Sequence, residues 1–153
     1  QQGEIVAFDT DMVGPYGYCA DISRAFVVGN KFNDEQKKLY SMAREQIEHN
    51  YRLIKDGVDF KEFTEKSWVL PDEYYPNRYS VMVHGIGLCD EWPAIRYPSD
   101  GGDRSGTFQK NMTITLESYI GKVGGKEGIK LEQQYLIGEN GLELMSHHPL
   151  EDI

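Results

Sequence analysis

A histidine before a Gly-Ile-Gly turn, with acids spaced around it in strand-like sequence, constrains this chain more than any other feature. The stretch is Val83-His84-Gly85-Ile86-Gly87-Leu88-Cys89-Asp90-Glu91-Trp92-Pro93. Asp9, Asp11 and Asp21 lie upstream of it, Glu117 and Glu132 downstream. One imidazole among several carboxylates is a donor mix suited to iron, manganese, cobalt or zinc. Two such ions roughly 3.5–4 Å apart need bridging carboxylates and about five or six protein ligands in all. Asp9, Asp11, Asp21, His84, Glu117 and Glu132 supply that number. A lone aspartate at a strand end is more often a turn residue, so the set matters and not any one member. Bringing residue 9 to residue 132 requires distant strands to converge on one site.

The order of elements follows from periodicity and punctuation. Glu4 to Phe8 is a short apolar run fit for a strand, ending in Asp9-Thr10-Asp11. A strand period of two points residues 9 and 11 to one face. Gly14-Pro15-Tyr16-Gly17 is a turn, and Cys19 to Val28 reads as the returning strand carrying Asp21. Asn33, with Gln36 as capping-box partner, predicts a helix with an apolar stripe of Leu39, Ala43, Ile47, Tyr51 and Ile54, stopped by Gly57. Asp59 and Glu62 predict a second capping box and a shorter helix running toward Leu70, ended by Pro71. His49, off the stripe, is expected to be exposed.

Tyr79 to Val83 approaches His84 as a strand, whereas 91–110 reads as a long irregular loop. Met112 to Leu116 is a β run ending in Glu117. Gly121 to Gly128 is a hairpin tip, Ile129 to Ile137 alternates around Glu132, and Glu139-Asn140-Gly141 turns into Leu142 to Met145. A strand pair, two helices and then antiparallel strands indicate an α+β fold.

At 153 residues, 39% of them apolar, the chain is long enough for one domain with a real core. A net charge of -9 argues against nucleic-acid or anionic-membrane partners, which need a basic footprint. No run approaches the ~18 apolar residues of a membrane span. Cys19 and Cys89 form no spaced framework, which fits a reducing, cytoplasmic compartment. The chain opens at Gln1-Gln2 and reaches a strand within a few residues, as a fragment of a longer protein would.

Phe8-Asp9, Asp21-Ile22-Ser23-Arg24, His84-Gly85-Ile86-Gly87-Leu88, Thr113-Ile114-Thr115-Leu116-Glu117 and Gly128-Ile129-Lys130-Leu131-Glu132 together resemble the metallopeptidase clan of methionine aminopeptidase, prolidase and creatinase. The resemblance spans almost the whole chain. It implies the pita-bread fold and a dinuclear site in which Asp21 and Glu132 bridge the ions, Asp9 serves one, and His84 and Glu117 the other. It also implies that residues 1–153 are the C-terminal, metal-bearing portion of a longer catalytic domain.

Three departures bear on function. Peptidases of the clan typically carry a second histidine after His-Gly-Ile-Gly-Leu, where this chain has Cys89-Asp90-Glu91-Trp92-Pro93. The usual Glu-Pro-Gly is Glu117-Ser118-Tyr119, and Asp11 is an additional acid. Together these resemble the DddP-type dimethylsulfoniopropionate (DMSP) lyases. That resemblance implies Asp11 as a sixth ligand, Asp90 as catalytic base, iron as the metal, and a small zwitterionic sulfonium substrate. Trp92, Tyr79 and the nearby Tyr74 and Tyr75 offer an aromatic wall whose π faces suit such a cation. It further implies a homodimer through the full-length protein. A metallopeptidase of the prolidase or Xaa-Pro aminopeptidase type is the alternative, and a catalytically dead, creatinase-like binding module is a third class. The filled ligand set disfavours the last.

Overall fold

A computed structural model describes residues 1–29, 31–101 and 105–151. The architecture is α+β. Strands β1 (Ile5–Asp9) and β4 (Ser23–Val27) form one antiparallel pair, and β2 (Met12–Val13) and β3 (Cys19–Ala20) a second. Helices α1 (Asp34–Tyr51) and α2 (Phe60–Lys66) follow. Then β5 (Val81–Gly85), β6 (Ala94–Arg96), β7 (Thr113–Gly121), β8 (Gly128–Gly138) and β9 (Gly141–Leu144) build an antiparallel sheet of order β6-β5-β7-β8-β9. Among the described residues, no helix is long and apolar enough to cross a membrane.

The two longest strands divide their side chains by alternation. On β7 and β8, Ile114, Leu116, Ile120, Ile129, Leu131, Tyr135 and Ile137 join the core with Leu39, Tyr40, Ala43 and Ile47 of α1. Each such apolar side chain contributes roughly 1.5–3 kcal/mol on burial. The register pairs Glu117 with Glu132, Thr115 with Gln134, and His84 with Thr115. Directly opposed residues share a face, so the side of the sheet turned away from α1 carries the polar set. β4 then packs against β8 and brings the first hairpin to that polar face.

Several sequence expectations change in detail. The strand expected over 19–28 breaks at Asp21 and Ile22. There Thr10 Oγ1 accepts the Ile22 N–H at 2.9 Å and donates to Asp21 Oδ1 at 3.3 Å, so a side chain replaces ladder bonds. Asp11 has φ +35, a left-handed conformation that aspartate tolerates. Strand periodicity therefore stops at Asp9, and it is not what brings Asp11 near Asp9.

The α1 capping box between Asn33 and Gln36 forms as expected, but the helix ends at Tyr51. The chain leaves it so that Ile54 can enter the core. Gly57 (φ +85) lies in the later turn, donating to Phe108 O at 2.8 Å. Helix α2 stops at Lys66, well before Pro71, where the Thr64 and Ser67 hydroxyls donate to the carbonyls of Phe60 and Thr64. Asp59 caps α2 alone, while Glu62 pairs with Lys66 at 2.6 Å. His49 is half-buried, its Nε2 3.0 Å from Lys66 O. The stretch read as an irregular loop contains β6, an edge strand paired to β5. Glu117 lies in the middle of β7 and not at its end.

Candidate metal centre

Four parts of the chain deliver the acids and the histidine to one place. The β1–β4 hairpin and the break beyond it supply Asp9, Asp11 and Asp21, β5 supplies His84, and β7 and β8 supply Glu117 and Glu132. Asp21, His84 and Glu132, all buried, have ligand atoms mutually within 4.8 Å. Asp9, Asp11 and Asp21 form a second such group, in which only Asp21 is buried. Asp21 belongs to both. His84 Nε2 lies 3.1 Å from Glu132 Oε1, 3.7 Å from Glu117 Oε1 and 3.9 Å from Asp21 Oδ2. The Nδ1–H of His84 donates to Gly85 O at 3.1 Å, which turns Nε2 toward the acids. All six predicted ligand residues are thus brought to one region.

Crowded carboxylates without counter-charge would be unstable here, and the titration of the cluster reflects that. Burial, reinforced by the charge of Glu132, pushes Glu117 up to about 8. Burial and Glu132 likewise push Asp21 up to about 6. For His84, burial favours the neutral ring, but the Glu132 hydrogen bond and the Glu117 charge outweigh it and raise it to about 9. Lys130, given no role from the sequence, ion-pairs with Asp9 and lies 3.4 Å from Glu117 Oε2 and 3.9 Å from Glu132 Oε2.

The residues present fit a divalent cation. Glu117 Oε1 and Thr115 Oγ1 are buried beside His84 with no hydrogen-bond partner among the described residues. The 3.7 Å to His84 is too long for a hydrogen bond. A buried carboxylate oxygen left without a donor is an atom that coordination would satisfy. Five carboxylates with one imidazole suit borderline first-row metals.

Ser23, Lys130 and Gln134 also serve this face; Ser23 and Lys130 stand in the motifs quoted above, but none of the three had a role there from the sequence. Ser23 Oγ lies 2.6 Å from Asp9 Oδ1 and 2.9 Å from Glu132 Oε2, its single proton serving one at a time. Gln134 Oε1 accepts the Asp21 N–H at 3.3 Å. The strand period through Glu132 was a usable signal for Lys130 and Gln134, since 130, 132 and 134 share a face.

Asp90 lies past the Gly87 turn, half-buried. Its Oδ1 is buried with no hydrogen-bond partner among the described residues. Burial first, then the charges of Asp9 and Asp90, push the Asp11 carboxyl up. Tyr79 is half-buried, its hydroxyl donating to Glu91 Oε1 at 3.1 Å, with the Lys130 ammonium 4.8 Å from its ring centre. One face of that ring is therefore already covered. Trp92 is 63% exposed and lines two cavities of about 310 and 380 Å³, neither lined by any of the six predicted ligands.

The close approach behind this arrangement needs Gly85. A Cβ there would lie 2.1 Å from Trp92 O, and its N–H donates to Pro93 O at 2.9 Å. The return of Trp92-Pro93 over the His84 turn thus depends on a missing side chain.

The sequence profile of metallopeptidase family M24 matches residues 1–139. The chain is 39% identical to the dimethylsulfoniopropionate lyase DddP of Roseovarius nubinhibens and 37% to that of Roseobacter denitrificans, over 99% of its own length and 34% of theirs. It spans about a third of those relatives. The X-Pro aminopeptidase of Thermotoga maritima superposes with a TM-score of 0.77 at 28% identity, over 99% of this chain and 42% of that one. The prolidase of Pyrococcus furiosus gives 0.79 at 25%, over 97% and 43%. The pita-bread fold is shared with these enzymes, and the chain belongs to metallopeptidase family M24.

Proposed function

We propose that the full-length protein is a metal-dependent carbon–sulfur lyase that cleaves DMSP to dimethyl sulfide and acrylate. Asp9, Asp11, Asp21, His84, Glu117 and Glu132 hold two divalent ions; iron is our choice, and manganese, cobalt and zinc suit the same donors. When bound, the metal pair polarises the substrate carboxylate and stabilises negative charge on the neighbouring carbon. Asp90 takes the proton from that carbon, a C=C bond forms, and the C–S bond breaks with its electron pair leaving on sulfur. No water is consumed, so the peptidase histidine is dispensable. The Tyr79 face away from Lys130 and the indole of Trp92 receive the sulfonium, each contact contributing roughly 0.5–2 kcal/mol.

The observation that carries this reading is Asp90, an acid near Asp11 with a carboxylate oxygen that no donor occupies among the described residues. An oxygen free of such donors keeps its lone pairs available to accept a proton. The identity to two DMSP lyases over nearly the whole chain supports it. We further propose that residues 1–153 are the C-terminal part of a longer catalytic domain, acting as a homodimer. The exposed Val6, Phe8, Met12 and Val13 of the first hairpin suit cover by further chain. A dinuclear prolidase-type peptidase is the second reading, favoured by the likeness to the aminopeptidase and prolidase structures.

Full-length protein loaded with iron(II) separates the two when given DMSP and, in parallel, an Xaa-Pro dipeptide. Release of dimethyl sulfide is expected, cut about 10²–10⁴-fold in Asp90→Ala with metal content unchanged. Dipeptide cleavage without sulfide release sinks the lyase reading. Loss of metal occupancy in Asp11→Ala tests the sixth ligand.

A further inference from the structure

Behind the acidic face lies a buried cation that touches none of the site's carboxylate oxygens. Arg24, 2% exposed, follows Ser23 on β4. A guanidinium has five N–H donors, and here each has an acceptor. Nε donates to Pro149 O at 3.1 Å. Nη1 donates to Ser23 O at 2.9 Å and to Glu132 O at 2.6 Å. Nη2 donates to Gln133 Oε1 at 2.6 Å and to His148 O. The acceptors are thus four backbone carbonyls and one amide oxygen. They come from three segments: β4, β8 and the chain after β9.

Leu150 of that last segment packs against the core, and polar contacts hold it as well. Ser146 Oγ donates to Gln133 Oε1 at 3.0 Å and accepts the Gln134 N–H at 3.1 Å. The Glu151 N–H donates to Tyr40 Oη at 2.6 Å, and the His148 ring meets Phe26 edge-on. Gln133, which anchors both Arg24 and Ser146, sits between Glu132 and Gln134. Two of the groups that tie down 146–151, Arg24 and Gln133, are therefore backbone neighbours of groups that face the acids, Ser23, Glu132 and Gln134.

We infer that Arg24 is a positioning residue that clasps segment 146–151 to the backbone of Ser23 and Glu132, and so sets the spacing of the metal-binding carboxylates. The inference rests on the metal-site reading above. Ser23 Oγ and the Glu132 carboxylate hang from the two carbonyls that share Nη1. A change in the β4–β8 separation there moves Asp9, Ser23 and Glu132 relative to one another. Lysine keeps the charge but is a point donor that cannot span three segments. Methionine keeps part of the bulk and no donor.

The test uses the full-length, metal-free protein as wild type, Arg24→Lys, Arg24→Met and Gln133→Leu. Two quantities are read: amide exchange over 146–151, and cobalt(II) affinity by chelator competition, with the visible cobalt spectrum reporting ligand geometry. Exchange in the segment rises at least tenfold in Arg24→Lys, and cobalt affinity falls about 10–100-fold, the usual range for groups that orient ligands. Arg24→Met is worse on both counts, with an altered spectrum. Gln133→Leu removes a single acceptor and shifts both in the same direction by less, which keeps the inference open to test if the arginine variants do not fold. Faster exchange with cobalt affinity within twofold of wild type makes the clasp purely structural and overturns the inference. Wild-type protein that takes up no cobalt overturns the metal reading itself, and the inference with it.

Discussion

Metal uptake by this site must release protons, and the number follows from the titration of the cluster. At pH 7 without metal, Glu117 (about 8) and His84 (about 9) each hold a proton, while Asp21 (about 6) is mostly ionised. A carboxylate and an imidazole ligate only after losing those protons. All three are raised above their ordinary values, so acid favours the metal-free, protonated form and affinity increases with pH. About two protons should leave per site filled near pH 7. The apparent association constant should then rise about a hundredfold from pH 6.5 to 7.5. The dependence steepens toward three protons below pH 6 and flattens above pH 9. Calorimetric titration of the metal-free, full-length protein with zinc or manganese, in buffers of different ionisation enthalpy, counts the protons directly. Release of less than about half a proton at pH 7, or affinity that falls as pH rises, would refute the account of the cluster as a protonated ligand set.

The same shifts predict how the metal-free fold responds to pH. Carboxyls raised in the fold favour it at low pH and disfavour it as they ionise. Thermal unfolding of metal-free protein should therefore occur at lower temperature as pH climbs from about 5 through the values of Asp21 and Glu117, and metal should reverse the loss. Gly85→Ala places a Cβ 2.1 Å from Trp92 O, so the Trp92-Pro93 return must move. Intrinsic tryptophan fluorescence should shift, and metal affinity should fall through the displaced His84. Leu131→Ala empties a fully buried position on the helix-facing side of β8 and should cost about 2–5 kcal/mol in denaturant unfolding. A loss below about 1 kcal/mol would contradict the packing of α1 on that strand.

The sequence alone determined much of this protein. Alternation around Glu132, the capping box at Asn33 and Gln36, and the glycine-rich tip from Gly121 to Gly128 all report local preferences, and the fold follows them. The acids and His84 stood out because one imidazole and five carboxylates, each beside strand-like sequence, form a donor set suited to two divalent ions. Where the sequence reading missed, longer-range contacts decided. β6 forms because β5 offers an edge to pair with. Helix α1 ends early because Ile54 is drawn into the core. Asp11 reaches the cluster through a left-handed turn that Thr10 and Asp21 stabilise, and not through strand period.

Lys130 and Arg24 show the same division. Either lysine or arginine, met in a sequence, has water as its default surroundings. Only the fold encloses one among carboxylates and the other among five oxygens from three distant segments. Period and propensity act over a few residues and are readable from them. Desolvation and hydrogen-bond satisfaction depend on which segments are brought together, and that was settled by the tertiary structure.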